Sequence, residues 1–152
     1  MKIPLQVYDF AGGLRAMAHF FVRSEKPKLF ISVRAIIDTG SPETIIGLID
    51  LKKMRFSPIK FKDLESKKYP ICMGGGEVKT KILQEAKLNF GEYFECTMPI
   101  HIPVEEISGT AQSTILGVDF LTKNNLKFFF YPNKREAYFE KENENQTTPQ
   151  TK

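Results

Sequence analysis

Alternating apolar and polar residues divide most of this chain into short strands. Residues 3–10 and 15–23 each read as a strand, and Ala11-Gly12-Gly13 between them supplies the small residues that a tight hairpin turn needs. Ser24-Glu25-Lys26-Pro27-Lys28 is a polar break. Residues 29–37, Leu-Phe-Ile-Ser-Val-Arg-Ala-Ile-Ile, hold too few polar positions for an exposed sheet face, which predicts a strand covered on both sides. Pro42 to Gly47 predicts another short apolar strand, and Leu48 to Met54 has helical spacing. Farther on, Tyr69–Met73 and Glu77–Ile82 flank Gly74-Gly75-Gly76 as the arms of an exposed hairpin.

Ala86–Phe90, Tyr93–Met98 and Ile100–Val104 follow as strands, broken by Gly91, Pro99 and Pro103. Asp119–Asn124 suits a short helix that stops at Asn124-Asn125. Leu126–Tyr131 and Glu136–Phe139 then form a last hairpin around Pro132-Asn133-Lys134. Many short strands with one or two short helices predict an all-β, closed barrel-like fold. The 152 residues suffice for one domain, placed at residues 1–140. The polar tail 141–152 has no apolar side chain to bury and is expected to be disordered.

Composition narrows the function classes. No apolar run approaches the ~20 residues of a membrane span, and the first residues lack the apolar stretch of a secretion signal, so a cytoplasmic protein is expected. Cys72 and Cys96 are too few for a disulfide framework and read as free thiols. The net charge of +4 comes from scattered Lys and Arg, so no nucleic-acid interface is expected. His19 and His101 stand apart, no spacing suggests a metal site, and no dinucleotide or phosphate fingerprint occurs; neither metal nor cofactor is expected.

Candidate chemistry concentrates at Asp38-Thr39-Gly40-Ser41, a polar turn at the end of the 29–37 strand. A carboxylate placed there is costly unless it is compensated or used. Gly40 lacks a Cβ, so chain segments can approach and its N–H can point at the carboxylate. The Ser41 hydroxyl reads as a second donor to Asp38. Taken alone, the tetrapeptide is explained as a turn after a strand. Ile115-Leu116-Gly117, followed by a short helical stretch, changes the weighting.

Over roughly residues 28–131, these two motifs and their order resemble the single-domain retropepsin-like aspartic proteases. The resemblance implies a homodimeric endopeptidase in which each copy lends one Asp38. Two carboxylates a few ångströms apart cannot both ionise, so they share a proton. The ionised one deprotonates a water while the protonated one polarises the peptide carbonyl. By the same resemblance, Thr39 and Gly40 complete the catalytic loop, and Thr39 bonds across the dimer. Ser41, Met73, Gly74, Gly75 and Gly76 contact a polypeptide substrate, the last four from a flap. The sequence departs from retroviral members where an Arg follows the second Gly and an Asp follows the catalytic motif; Val118 and Pro42 stand there. Two rival readings remain: a catalytically inactive dimerisation or peptide-binding module of the same fold, and a basic barrel that binds single-stranded nucleic acid through its aromatic residues.

Overall fold

In the computed structural model, residues 1–53, 61–73, 76–104 and 112–141 are described. A short strand β1 (Lys2–Pro4) leads into the hairpin of β2 (Gln6–Phe10) and β3 (Gly13–Glu25). Its two-residue loop puts Ala11 at φ 50° and Gly12 at φ 81°, the doubly left-handed turn that matches strand twist. β3 then pairs antiparallel with β4 (Lys28–Ile37), from Glu25 opposite Lys28 to Met17 opposite Ile36.

β4 is not covered on both sides. Leu29, Ile31, Val33 and Ala35 are buried, whereas Lys28, Phe30, Ser32 and Arg34 are exposed. The run looked apolar throughout because Phe30 belongs to the outer face. There it stacks on Phe21 of β3, with ring centroids 5.4 Å apart and planes 5° from parallel.

After α1 (Leu48–Lys52) come β5 (Glu65–Ser66), the two-stranded hairpin β6 (Ile71–Met73) and β7 (Gly76–Val78), and the long pair β8 (Thr80–Asn89) and β9 (Glu95–Pro103). Pro99 does not end a strand as expected. The register jumps from Leu83 opposite Ile100 to Ala86 opposite Met98, so a bulge at Gln84 and Glu85 faces Pro99. A bulge is where a missing N–H does least damage to a ladder.

β10 (Thr114–Leu116) lies parallel to β4, and α2 (Val118–Asn124) follows it. Asn125, at φ 51°, ends α2 in the left-handed conformation and donates its N–H to the Leu121 and Thr122 carbonyls. Phe120 fixes α2 to the core: it is fully buried, with Phe90 and Phe139 ring centroids each 5.4 Å away. Burial of one such ring contributes roughly 2–3 kcal/mol.

The ladders order the main sheet β10-β4-β3-β8-β5, with β2 on β3 and β9 on β8. They do not by themselves form a closed ring. The gap between β9 and β10 is spanned at Ile45, which bridges His101 on one side and Ile115 on the other. That bridge is all the regular pairing found where Pro42–Gly47 predicted a strand. A second sheet holds β1, β12 (Glu136–Lys141) and β11 (Leu126–Tyr131), in that order. β12 runs through Lys141, the first residue of the expected tail; residues 142–152 and the helical end at Met54 lie outside the described residues. Among the described residues no helix is long and apolar enough to cross a membrane.

Candidate active site

Asp38 is the first residue past β4, half-buried, and its N–H donates to the Leu116 carbonyl at 3.1 Å, extending the β4–β10 pairing by one step. The chain then turns: Ser41 N–H returns to the Asp38 carbonyl at 3.1 Å, and Gly40 N–H donates to Asp38 Oδ1 at 2.9 Å. A Cβ on Gly40 would lie 3.1 Å from that same oxygen, so the glycine keeps the approach of amide and carboxylate unobstructed. Thr39 is exposed at the tip of the turn.

Ser41 departs from expectation. Its hydroxyl donates to the Glu43 carbonyl at 2.8 Å, and not to Asp38. The turn folds Ser41 toward the chain that follows, where the carbonyl two residues on is its nearest acceptor. The Ser41 carbonyl in turn accepts Val118 N–H at 2.9 Å, and the Pro42 carbonyl accepts Asp119 N–H at 3.3 Å. Position 118 therefore contributes through its backbone what no ion pair with Pro42 could supply.

A polar brace behind the turn has no local signature in the sequence. Thr44 is fully buried and lies 75 residues from Asp119; its N–H and Oγ1 donate to the two oxygens of that carboxylate at 3.1 and 2.8 Å. Thr44 Oγ1 also accepts Gly117 N–H at 3.1 Å. Gly117 is required by close approach: a Cβ there would meet the Glu43 carbonyl at 2.6 Å and the Ser41 oxygen at 2.8 Å. Ile115-Leu116-Gly117 is thus the strand and stop that hold the Asp38 turn from behind.

A further cluster sits beside the brace. Glu43 Oε1 is 2.6 Å from Lys67 Nζ, just ahead of the β6–β7 hairpin, and 3.8 Å from Nε2 of the buried His101. A buried acid, Asp50, accepts Thr114 Oγ1 at 2.6 Å and pairs with Lys53 at 2.9 Å, tying α1 to β10. In the hairpin, Met73 pairs with Gly76, whose φ of 128° is a conformation that side chains rarely adopt. Gly74 and Gly75 lie outside the described residues. The structure therefore joins Asp38, Gly40 and Ser41 in one hydrogen-bonded turn, with Thr39 at its tip, and puts Met73 and Gly76 on a separate hairpin.

A carboxylate-bearing turn after β4, with β10 threaded parallel beside it and a glycine-rich hairpin between the two motifs, defines a retropepsin-like fold. The chain is similar to a retropepsin-like aspartic protease from Rickettsia conorii, at 15% identity and a TM-score of 0.56 over 93% of this chain and 91% of that one. It also matches the EIAV protease complexed with the inhibitor HBY-793 at 14% identity and a TM-score of 0.49, over 81% of this chain and all of that one. The retroviral protease-like domain of Ddi1 from Leishmania major matches at 14% identity and a TM-score of 0.46, over 84% and 97%. No family model and no curated protein matches the sequence.

Proposed function

We propose that the protein is an aspartic endopeptidase that works as a homodimer, each copy contributing Asp38. The observation that carries this reading is the Asp38 turn itself: a half-buried carboxylate with Gly40 N–H on one oxygen, held from behind by Leu116 and Gly117 within a retropepsin-like fold. One carboxylate alone makes a poor peptidase, whereas two that share a proton have both an acid and a base.

In this mechanism the ionised Asp38 takes a proton from water, whose oxygen attacks the peptide carbonyl carbon. The protonated Asp38 donates to the carbonyl oxygen, giving a neutral tetrahedral diol. Proton transfer to the amide nitrogen and cleavage of the C–N bond then release an amine and a carboxylic acid, returning the pair to its singly protonated state. The titration belongs to the pair and not to either residue. Thr39 links the two turns, Gly40 lets them approach, and Met73, Gly74, Gly75 and Gly76 close over an extended peptide held by main-chain hydrogen bonds. Ser41 borders the peptide while its hydroxyl stays on Glu43.

Digestion of a mixed peptide library at acidic and neutral pH, with wild type and Asp38→Asn side by side, tests the proposal. Wild type should cleave, more slowly on dilution below the dimer dissociation constant. Asp38→Asn should lose at least ~10³-fold in turnover and still self-associate. Peptide binding without cleavage by either protein would instead establish the inactive module.

A further inference from the structure

The hairpin of β3 and β4 holds the chain's excess charge. Residues 13–37 contain Arg15, Arg23, Lys26, Lys28 and Arg34 against Glu25 alone, a net +4 that equals the +4 of the whole chain. The rest of the sequence therefore sums to zero. All five cations are exposed. Spacing alone reads them as scattered; the ladder gathers them.

Pairing of the two strands sets them on one face. Along the outer side, Arg34 stands opposite His19, Ser32 opposite Phe21, Phe30 opposite Arg23 and Lys28 opposite Glu25. Arg15 joins by the same alternation. Its partner across the ladder, Tyr8, lies on this face too, because the Arg34 guanidinium sits 5.3 Å from the Tyr8 ring centre. Lys87 of β8 adjoins Arg23. Glu25, 3.7 Å from Arg23, and Glu95, 3.1 Å from Lys87, lie toward the Arg23 end, and among the described residues Arg15 and Arg34 have no carboxylate partner.

Between the cations stand three rings in file. Phe30 and Phe21 are parallel within 5° at 5.4 Å, and His19 follows 6.1 Å from Phe21, its Nε2 bonded to Ser32 Oγ at 2.8 Å. Phe30 is 58% exposed and Phe21 40%, so the stack is open to solvent. A peptide partner anchors its apolar side chains in recesses. Flat rings flanked by cations instead suit flat bases joined by phosphates.

We propose that this face binds single-stranded nucleic acid, with bases stacked on Phe30, Phe21 and His19 and phosphates on Lys28, Arg23, Arg34 and Arg15. From Arg15 to Arg23 the strand runs roughly 26 Å, room for about four nucleotides. The rings select single strands because a duplex keeps its base faces against one another. Nothing in this inference depends on Asp38, so it stands or falls apart from the peptidase reading.

Fluorescence anisotropy on the full chain, with labelled oligo(U) and oligo(dT) of about twelve nucleotides, tests the proposal. Wild type should bind at least one of them at micromolar concentration in 50 mM salt, and about 50-fold more weakly in 200 mM if about four phosphates are neutralised. The stronger of the two tells which sugar is preferred. Phe21→Ala with Phe30→Ala should weaken binding at least tenfold with the circular dichroism spectrum kept, and Phe30→Tyr, which retains a flat ring, should not. Arg15→Ala with Arg34→Ala should weaken binding and flatten its salt dependence by about half. Phe129→Ala and Lys123→Ala, an exposed ring and an exposed cation elsewhere, should change it less than twofold. No binding of either oligonucleotide in 50 mM salt overturns the proposal. Binding that the double Phe variant leaves unchanged overturns it too. Displacement by polyglutamate as effective as that by unlabelled oligo(U) would make the face a site for acidic polypeptides instead.

Discussion

Replacing Thr44 with Val changes almost no volume and removes one hydroxyl. That hydroxyl is fully buried, donates to Asp119 Oδ1 at 2.8 Å and accepts Gly117 N–H at 3.1 Å. Loss of a hydrogen bond to a carboxylate typically costs about 1.5–3 kcal/mol, and a buried N–H left without an acceptor about 1–3 kcal/mol. The two share one atom and are not additive, so about 3 kcal/mol is expected for the pair. In a chain of 152 residues this lowers Tm by roughly 6–12 °C. Thermal and urea unfolding followed by circular dichroism would measure it. Thr44→Ser, which keeps the hydroxyl, should recover most of the loss. In the cycle with Asp119→Asn, the double variant should fall short of the sum of the singles by at least 0.5 kcal/mol. A loss below about 0.5 kcal/mol for Thr44→Val, or a Ser variant no better than Val, would refute the brace as the element that holds the turn.

Three further outcomes follow from the geometry. Gly117→Ala drives a methyl into the Glu43 and Ser41 backbone at 2.6–2.8 Å and should destabilise by about 1–3 kcal/mol in urea titrations. Cys72 is exposed, whereas burial pushes the Cys96 thiol up to about 11; iodoacetamide at pH 8 should therefore label Cys72 first in a peptide map, with Cys96 reacting only on unfolding or above pH 10. Hydrogen bonds from Asn89 and Lys87 hold the exposed Glu95 carboxyl below its ordinary value, so its small stabilising effect is present above that value and lost as pH falls. An NMR titration should place its midpoint below the ordinary carboxylate range, and Asn89→Ala, which removes the largest cause, should raise it.

Features set by neighbouring residues were legible in the sequence. The Ala11-Gly12 turn, the Asn125 helix stop and the Gly40 amide on Asp38 all depend on contacts within a few positions. Features set by distant partners were not. Phe30 made β4 look covered on both sides because its stacking partner, Phe21, lies across the hairpin. Pro99 read as a strand end because the bulge that accommodates it lies on β8. The sequence pairs the Ser41 hydroxyl with the Asp38 carboxylate of its own turn, whereas it donates to the Glu43 carbonyl on the chain that follows. Asp119, one of several aspartates lacking the catalytic context, is the acid that receives Thr44, and a separation of 75 positions hides that relation from any spacing rule. The Glu43–Lys67–His101 cluster is hidden for the same reason.

The Ile45 crossing has a mechanical consequence. Where β3 and β4, or β8 and β9, share long ladders, β9 and β10 are joined through one residue's width of chain: Ile45 and Ile115 exchange hydrogen bonds at 3.0 and 2.9 Å, and Ile46 and Thr44 grip the His101 backbone at 2.9 and 3.0 Å. Proteins open first where the fewest bonds must break together. This seam can unfasten while β3, β4 and β8 stay zipped, and solvent deuterium should enter at the Ile45, Ile46, His101 and Ile115 amides before it reaches the middle of β3. The weakest stitch in the wall is thus sewn only a few residues beyond the acid it frames.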